Sequence, residues 1–415
     1  MTSRERLAAA LDHRQPDRVP YDCGATAVTG MHVSVVSRLR EALLGEKGYR
    51  VKVIEPYQML GEIDADLAEA MGVDVFGVRS PATMFGFRLS GWKPLTMFDG
   101  TDVLVPGEFN ITVAENGDWL IHPEGDTAVP PSGRMPKGGH FFDSIDRQGP
   151  VDEDRLDPAD NTEEFGKMAP LDVEYLALKA KALATAGKGV VLVAPGTGFG
   201  DIAAVPAPWL KHPKGIRGVA EWYMATVESR DYVVKVFEKQ CEVGLKNLEA
   251  LARNIGDSAQ VAMVTGTDFG TQAGPFISPK TYRELYQPFH RRINEFIHKE
   301  TKWRTFIHSC GSVAALISDF IESGFDVLNP VQCSAAGMNP STLKREFGRD
   351  LVFWGGGVDT QRTLPFGTPD AVYREVRERI DIFGRDGGFV FNTVHNIQAG
   401  TPIENVLAML KAVKG

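Results

Sequence analysis

Eight short β-branched or aromatic-rich runs recur along this chain, all but one ending in glycine or a polar residue. They restrict what it can fold into more than any other feature. They are "RVPYDCG" (18–24), "VDVFGVR" (73–79), "GVVLVAPG" (189–196), "AQVAMVTG" (259–266), "RTFIHS" (304–309), "FDVLNPV" (325–331), "LVFWGGG" (351–357) and "GGFVFNT" (387–393). Their apolar character hardly alternates, as expected of parallel strands buried on both faces. Between them lie segments such as "SPKTYRELYQPFHRRINEFIHKE" and "PDAVYREVRERIDIFG", whose apolar residues recur at helical spacing. Strands alternating with helices in this way predict an α/β fold, a (β/α)8 TIM barrel forming a single domain over residues 1–415. A doubly wound open sheet is the alternative. No G-x-G-x-x-G follows the first run, which counts against it.

Two stretches interrupt the rhythm. Residues 100–165 contain "ENGD" between alternating runs, and Asn-Gly accommodates the positive φ angles of a type I′ turn. This predicts a β-rich hairpin excursion between the second and third strands, followed by an acidic, proline-containing linker over 150–160. Such a hairpin serves equally as a surface flap, a cover for the barrel mouth or a homodimer contact. The second stretch, 200–224, is expected to form a helical lid.

Composition narrows the function. Net charge is −9 and no basic stripe is present, which sets nucleic-acid binding aside. No run approaches about 18 apolar residues, and the opening "MTSRERLAAALDHRQPDRVP" is a charged helix rather than a secretory signal. The expectation is a cytoplasmic protein without membrane contact. Its four cysteines (Cys23, Cys241, Cys310 and Cys333) are then reduced thiols.

Barrel enzymes carry their chemistry at the C-terminal ends of the strands. Those ends supply Asp22 with Cys23, Thr197, Asp268, His308 with Cys310, Gln332 with Cys333, Asp359 with Gln361, and His395. Three of the four cysteines fall in this set, and that convergence carries more weight than any one motif. His308 and Cys310, two positions apart, emerge on one face of a strand. Neutral imidazole and thiolate are zinc ligands, and a catalytic site needs a third, which His395 or Cys333 can supply. Taken alone, the pair reads equally as a buried hydrogen-bonded histidine beside a small buried cysteine. Asp268, in "TGTDFGTQAG", is a candidate general base, with Gln272 orienting a polar substrate, or else a turn residue. Asp22 is a second catalytic candidate or an Asx-turn residue. Gln332 and Asp359 complete the expected substrate contacts, Asp359 following a glycine triplet suited either to anion binding or to tight packing.

Four longer stretches, "TDFGTQAGPFISPKTYRELYQP", "FIHSCGSVAALISDFIESGFDVLNPVQ", "LVFWGGGVDTQRTLP" and "GGFVFNTVHNIQAGTPIENVLAM", resemble the uroporphyrinogen decarboxylase superfamily, whose fold is a (β/α)8 barrel. The resemblance implies one of two activities. True decarboxylases carry an Arg-Gln-Ala-Gly-Arg signature after the first strand, where this chain has "DCGATAVTGMHVS" with no arginine. Corrinoid-dependent methyltransferases pair His-x-Cys with a more distant Cys on zinc. His308 and Cys310 match the first two ligands, and His395 stands where the third is a Cys. The implied function is methyl transfer between a small methylated substrate, or a thiol or folate acceptor, and a separate corrinoid protein, since no D-x-H-x-x-G motif is present. The alternatives are a metal-free lyase acting on a carboxylated substrate through Asp22 and Asp268, and a non-enzymatic tetrapyrrole- or corrinoid-binding accessory protein.

Overall fold

The computed structural model describes residues 1–151 and 156–415. Seven parallel strands form its central sheet: β1 (Val75–Val78), β2 (Gly189–Val193), β3 (Val261–Thr265), β4 (Arg304–His308), β5 (Val327–Asn329), β6 (Val352–Trp354) and β7 (Phe389–Val390), hydrogen-bonded in chain order. The result is an α/β fold with a curled parallel sheet of the TIM-barrel kind. The first run of the sequence departs from expectation. It forms no regular strand, but Tyr21 bridges to Phe391 beyond β7 and Asp22 bridges to Val75 of β1. Residues 21 and 22 therefore touch both edges of the curl. Pro20 lacks an amide N–H, and Asp22 turns back to accept the amide of Ala25, so pairing stops after a few residues.

Both faces of the sheet are buried, and alternate residues sort into two clusters. Val75, Val191, Val261, Met263, Phe306, Val327, Val352, Trp354 and Val390 pack together inside the curl with Leu7, Ala10 and Leu11 of the N-terminal helix (Ser3–Leu11). Val190, Leu192, Ala262, Val264, Ile307, Leu328, Phe353 and Phe389 point outward into the larger core under the helices. A period of two is thus present although both faces are lined by apolar residues. Gly77 is required by close approach: a Cβ there would stand 1.7 Å from the Ala25 carbonyl oxygen.

Between Tyr21 and β2 the chain builds two accessory sheets. Strands Val51–Glu55, Leu60–Gly61, Lys93–Thr96 and Asp102–Val105 form one. Strands Ile111–Val113, Trp119–Ile121, Gly133–Met135 and Asp143–Ser144 form the other, antiparallel, with Val113 opposite Trp119 across the Asn116-Gly117 turn. The linker expected over 150–160 falls partly on residues 152–155, outside the described residues. The stretch 200–224 consists mostly of turns before the helix Val219–Glu228, rather than forming a helical segment throughout. Among the described residues no helix is long and apolar enough to cross a membrane.

At the seam of the curl lies Asp74, whose side chain is 0% exposed. It accepts from Arg6 (2.6 Å), Arg18 (2.6 Å), Ser3 Oγ (2.8 Å) and the Tyr21 amide (2.9 Å). Replacing it takes the buried counter-charge from both arginines, leaving Arg6 with Asp17 (2.7 Å) and Arg18 with backbone carbonyls only, and orphans the Tyr21 amide. Asp74→Ala is expected to lower stability by about 3–5 kcal/mol, measured by urea denaturation, while a loss under about 1 kcal/mol would show that the seam does not depend on this carboxylate.

Candidate metal centre and cavity

His308 is the last residue of β4 and, two positions after the inward-facing Phe306, points into the curl at its C-terminal end. Its ring is held from behind. Asn329, ending β5, donates its amide N–H to the Trp354 carbonyl (2.7 Å), which turns its oxygen toward His308. His308 Nδ1–H donates to that oxygen at 2.6 Å. The proton therefore sits on Nδ1, and the Nε2 lone pair faces the site, an orientation set by the partner of the other nitrogen.

Cys310 Sγ lies 3.4 Å from His308 Nε2. The loop carrying it is pinned by backbone contacts: the Cys310 amide donates to Asp268 Oδ1 (2.6 Å) and the Gly311 amide to Gln332 Oε1 (2.8 Å). His395, from the loop after β7, brings its ring to 5.5 Å from that of His308. The donor atoms of His308, Cys310 and His395 all lie within 4.8 Å of one another. Burial pushes the His395 imidazole down to about 3, with His308 adding to the effect, and it also lowers His308. Both imidazoles are therefore neutral. Burial, reinforced by Asp268, pushes the Cys310 thiol well up. Two neutral imidazoles and a thiol with no cationic partner suit a metal ion as donors, and binding one would also release the thiol proton.

A cavity of about 550 Å³ opens beside these residues, with His308, His395 and Asp268 in its wall. Asp268 Oδ1 is 3.8 Å from His308 Nε2. Val28, Met84, Phe165, Val193 and Met263 supply apolar lining, and Tyr57 and Trp209 add aromatic side chains.

The other sequence candidates lie elsewhere. Asp22 is buried, accepting from Ala25 N–H (3.0 Å) and the Trp354 indole N–H (2.9 Å), and does not line the cavity. Gln272 is exposed, and its carbonyl accepts from the Ala336 amide (3.0 Å). Gln332 braces the Cys310 loop. Asp359 closes a turn, accepting from the amides of Gln361 (2.7 Å) and Arg362 (2.9 Å). Cys333 donates to the Val331 carbonyl (3.3 Å) and stands outside the three-residue group. Sequence reasoning missed Asn329, Asp201 and Glu55. Asn329 is the polar end of a run already counted, whereas Glu55 sits in "VKVIE", an apolar run outside the eight.

The uroporphyrinogen decarboxylase (URO-D) family model matches residues 154–415, more than half of the chain. The chain belongs to this family. Within it, the sequence is 33% identical over 139 residues to a methylated-thiol–coenzyme M methyltransferase of Methanosarcina mazei. That stretch covers 33% of this chain and 34% of the methanogen enzyme, so the match spans about a third of either. A uroporphyrinogen decarboxylase of Crocosphaera subtropica is 24% identical over 291 residues, covering 68% of this chain and 74% of that enzyme. The solved structure of a methyltransferase from Methanosarcina mazei superposes with a TM-score of 0.54 at 15% identity, covering 100% of this chain and 98% of that one. At that identity the likeness establishes the fold.

Burial holds the Asp22 carboxyl up at about 7, against donors from Ala25 and Trp354 that pull it down. The folded chain keeps this proton to higher pH than the unfolded chain does. The stabilisation is therefore complete at low pH and is lost as pH rises toward about 7. Asp22→Asn removes the titration. Relative to the wild type, the variant is expected to gain stability between about pH 5 and about pH 7 and to gain nothing further above about pH 8, read by urea denaturation. A pH-independent difference would contradict this.

Proposed function

We propose that the chain is a zinc-assisted methyltransferase. It moves a methyl group between a small methylated substrate, or a thiol or folate acceptor, and a corrinoid carried by a separate protein. The observation that carries this reading is the meeting of His308, Cys310 and His395 within 4.8 Å beside the cavity. Two nitrogens and one sulfur suit zinc, and three protein donors leave a fourth position for a substrate heteroatom. When bound, zinc supplies Lewis acidity that holds this heteroatom and keeps a thiol ionised at neutral pH.

The chain's own residues do the rest. Asn329 holds His308 in the tautomer that offers Nε2. Gln332 and Asp268 fix the loop that presents Cys310. Asp268, facing the cavity, is placed to take the proton that a thiol gives up. The apolar wall around Val193 and Met263 excludes water from the methyl group. Kinship with a methylated-thiol methyltransferase supports transfer involving sulfur. The alternative of a metal-free lyase on a carboxylated substrate has less support, because no lysine or arginine is among the described residues lining the cavity.

Purified wild-type protein is expected to carry about one zinc per chain, and alanine at residue 308, 310 or 395 to abolish it together with methyl transfer to a corrinoid acceptor. Asn329→Ala, which removes only the support behind His308, is expected to weaken zinc binding by about 10–100-fold. Wild-type protein that neither contains zinc nor takes it up in metal analysis and titration would overturn the reading.

A further inference from the structure

The cavity carries a one-sided set of charges. Four carboxylates line it, Glu55, Glu164, Asp201 and Asp268, and no lysine or arginine does so among the described residues. Glu164 is neutralised by Arg217 at 2.8 Å. The other three have no lysine or arginine within ion-pair distance among the described residues; Asp268 has only His308, at 3.8 Å. Glu55 is 6% exposed and held by the amides of Tyr57 (3.0 Å) and Gln58 (2.7 Å). Those amides aim its carboxylate without neutralising it. Arg79, the cation acting on Glu55, is not part of the lining, and its own hydrogen bond goes to the Gly24 carbonyl (3.4 Å).

We propose that this cavity selects a small organic cation, an ammonium or other onium group seated between Asp201, Asp268 and the aromatic faces of Tyr57 and Trp209. The inference deepens the reading above, on which it rests for the placement of the substrate's reacting heteroatom at the metal seat. Carboxylates in a site of low polarity attract a cation far more strongly than water-exposed ones do. Aromatic faces add cation–π attraction for a group that is bulky and weakly hydrated. The same carboxylates repel a carboxylated or sulfonated molecule. Consistent with a missing counter-charge at Asp201, burial holds its carboxyl up at about 6, Asp268 adding to the effect.

Three molecules of one shape separate charge from fit: choline, its neutral isostere 3,3-dimethylbutan-1-ol, and the anion 3,3-dimethylbutanoate. In calorimetric titration of the full chain, choline is expected to bind at least about tenfold tighter than the neutral isostere, with no detectable binding of the anion. Asp201→Asn keeps the oxygen that accepts from Ala203 and is expected to shrink the preference to within about threefold. Glu55→Gln is expected to reduce it in the same direction. Equal or tighter binding of the neutral or anionic probe, or an undiminished choline preference in both variants, would overturn the proposal. None of the probes needs the metal, so zinc content measured on the same preparation reports separately on the methyl-transfer reading.

Discussion

At the seam where the two edges of the curled sheet approach each other, one carboxylate shut away from water meets two arginines, a serine hydroxyl and a backbone amide. Asp74 receives Arg6 from the N-terminal helix, Arg18 from the segment after it and the amide of Tyr21. Residues 21 and 22 are thereby held where they bridge to Phe391 and Val75. The N-terminal helix is tied down by the same group, and its Leu7 and Leu11 fill one end of the inner core. A buried ion cluster contributes little net stability over an apolar replacement, but losing one member is costly. Its value here is geometric, because it specifies which residues occupy the seam.

From that seam, order passes to the site through polar contacts across the inner core. Trp354 donates its indole N–H to Asp22, and its carbonyl accepts from Asn329, which in turn accepts from His308. Each step fixes the orientation of the next group, so the imidazole reaches the cavity with a defined tautomer. Metal ligands are commonly supported this way. Asp22 thus belongs to the frame that supports the site rather than to the wall that meets a substrate. Cys310 lies on a loop with no regular structure, its own amide held by Asp268 and that of the next residue, Gly311, by Gln332.

The cavity shows how a shared fold supports different chemistries. Decarboxylase and methyltransferase relatives both match this chain, and barrel architecture alone does not choose between them. Side chains at the strand ends carry the distinction. Here the wall combines two histidines, with Cys310 beside them, carboxylates of which only Glu164 is paired with an arginine, and aromatic side chains, and no lysine or arginine is among the described lining residues.

Strand positions were legible because both faces of the sheet are buried, which leaves short, nearly unbroken apolar runs; seven of the eight runs became regular strands. The His308-x-Cys310 pair was equally readable, since side chains two apart on a strand share a face whatever surrounds them. Meeting His395, 85 positions further along, required the curl that brings β7 round toward β4, and no local pattern encodes a distance between strands. The same holds for Asp201 and Glu55, polar residues in loop and accessory-strand contexts that acquire a role only by facing a common cavity. Local periodicity and residue chemistry therefore determined the elements and the candidate donors. Tertiary packing alone decided which donors converge and which, like Cys333 and Asp359, are spent on their own loops, because convergence depends on long-range burial that sequence spacing does not record.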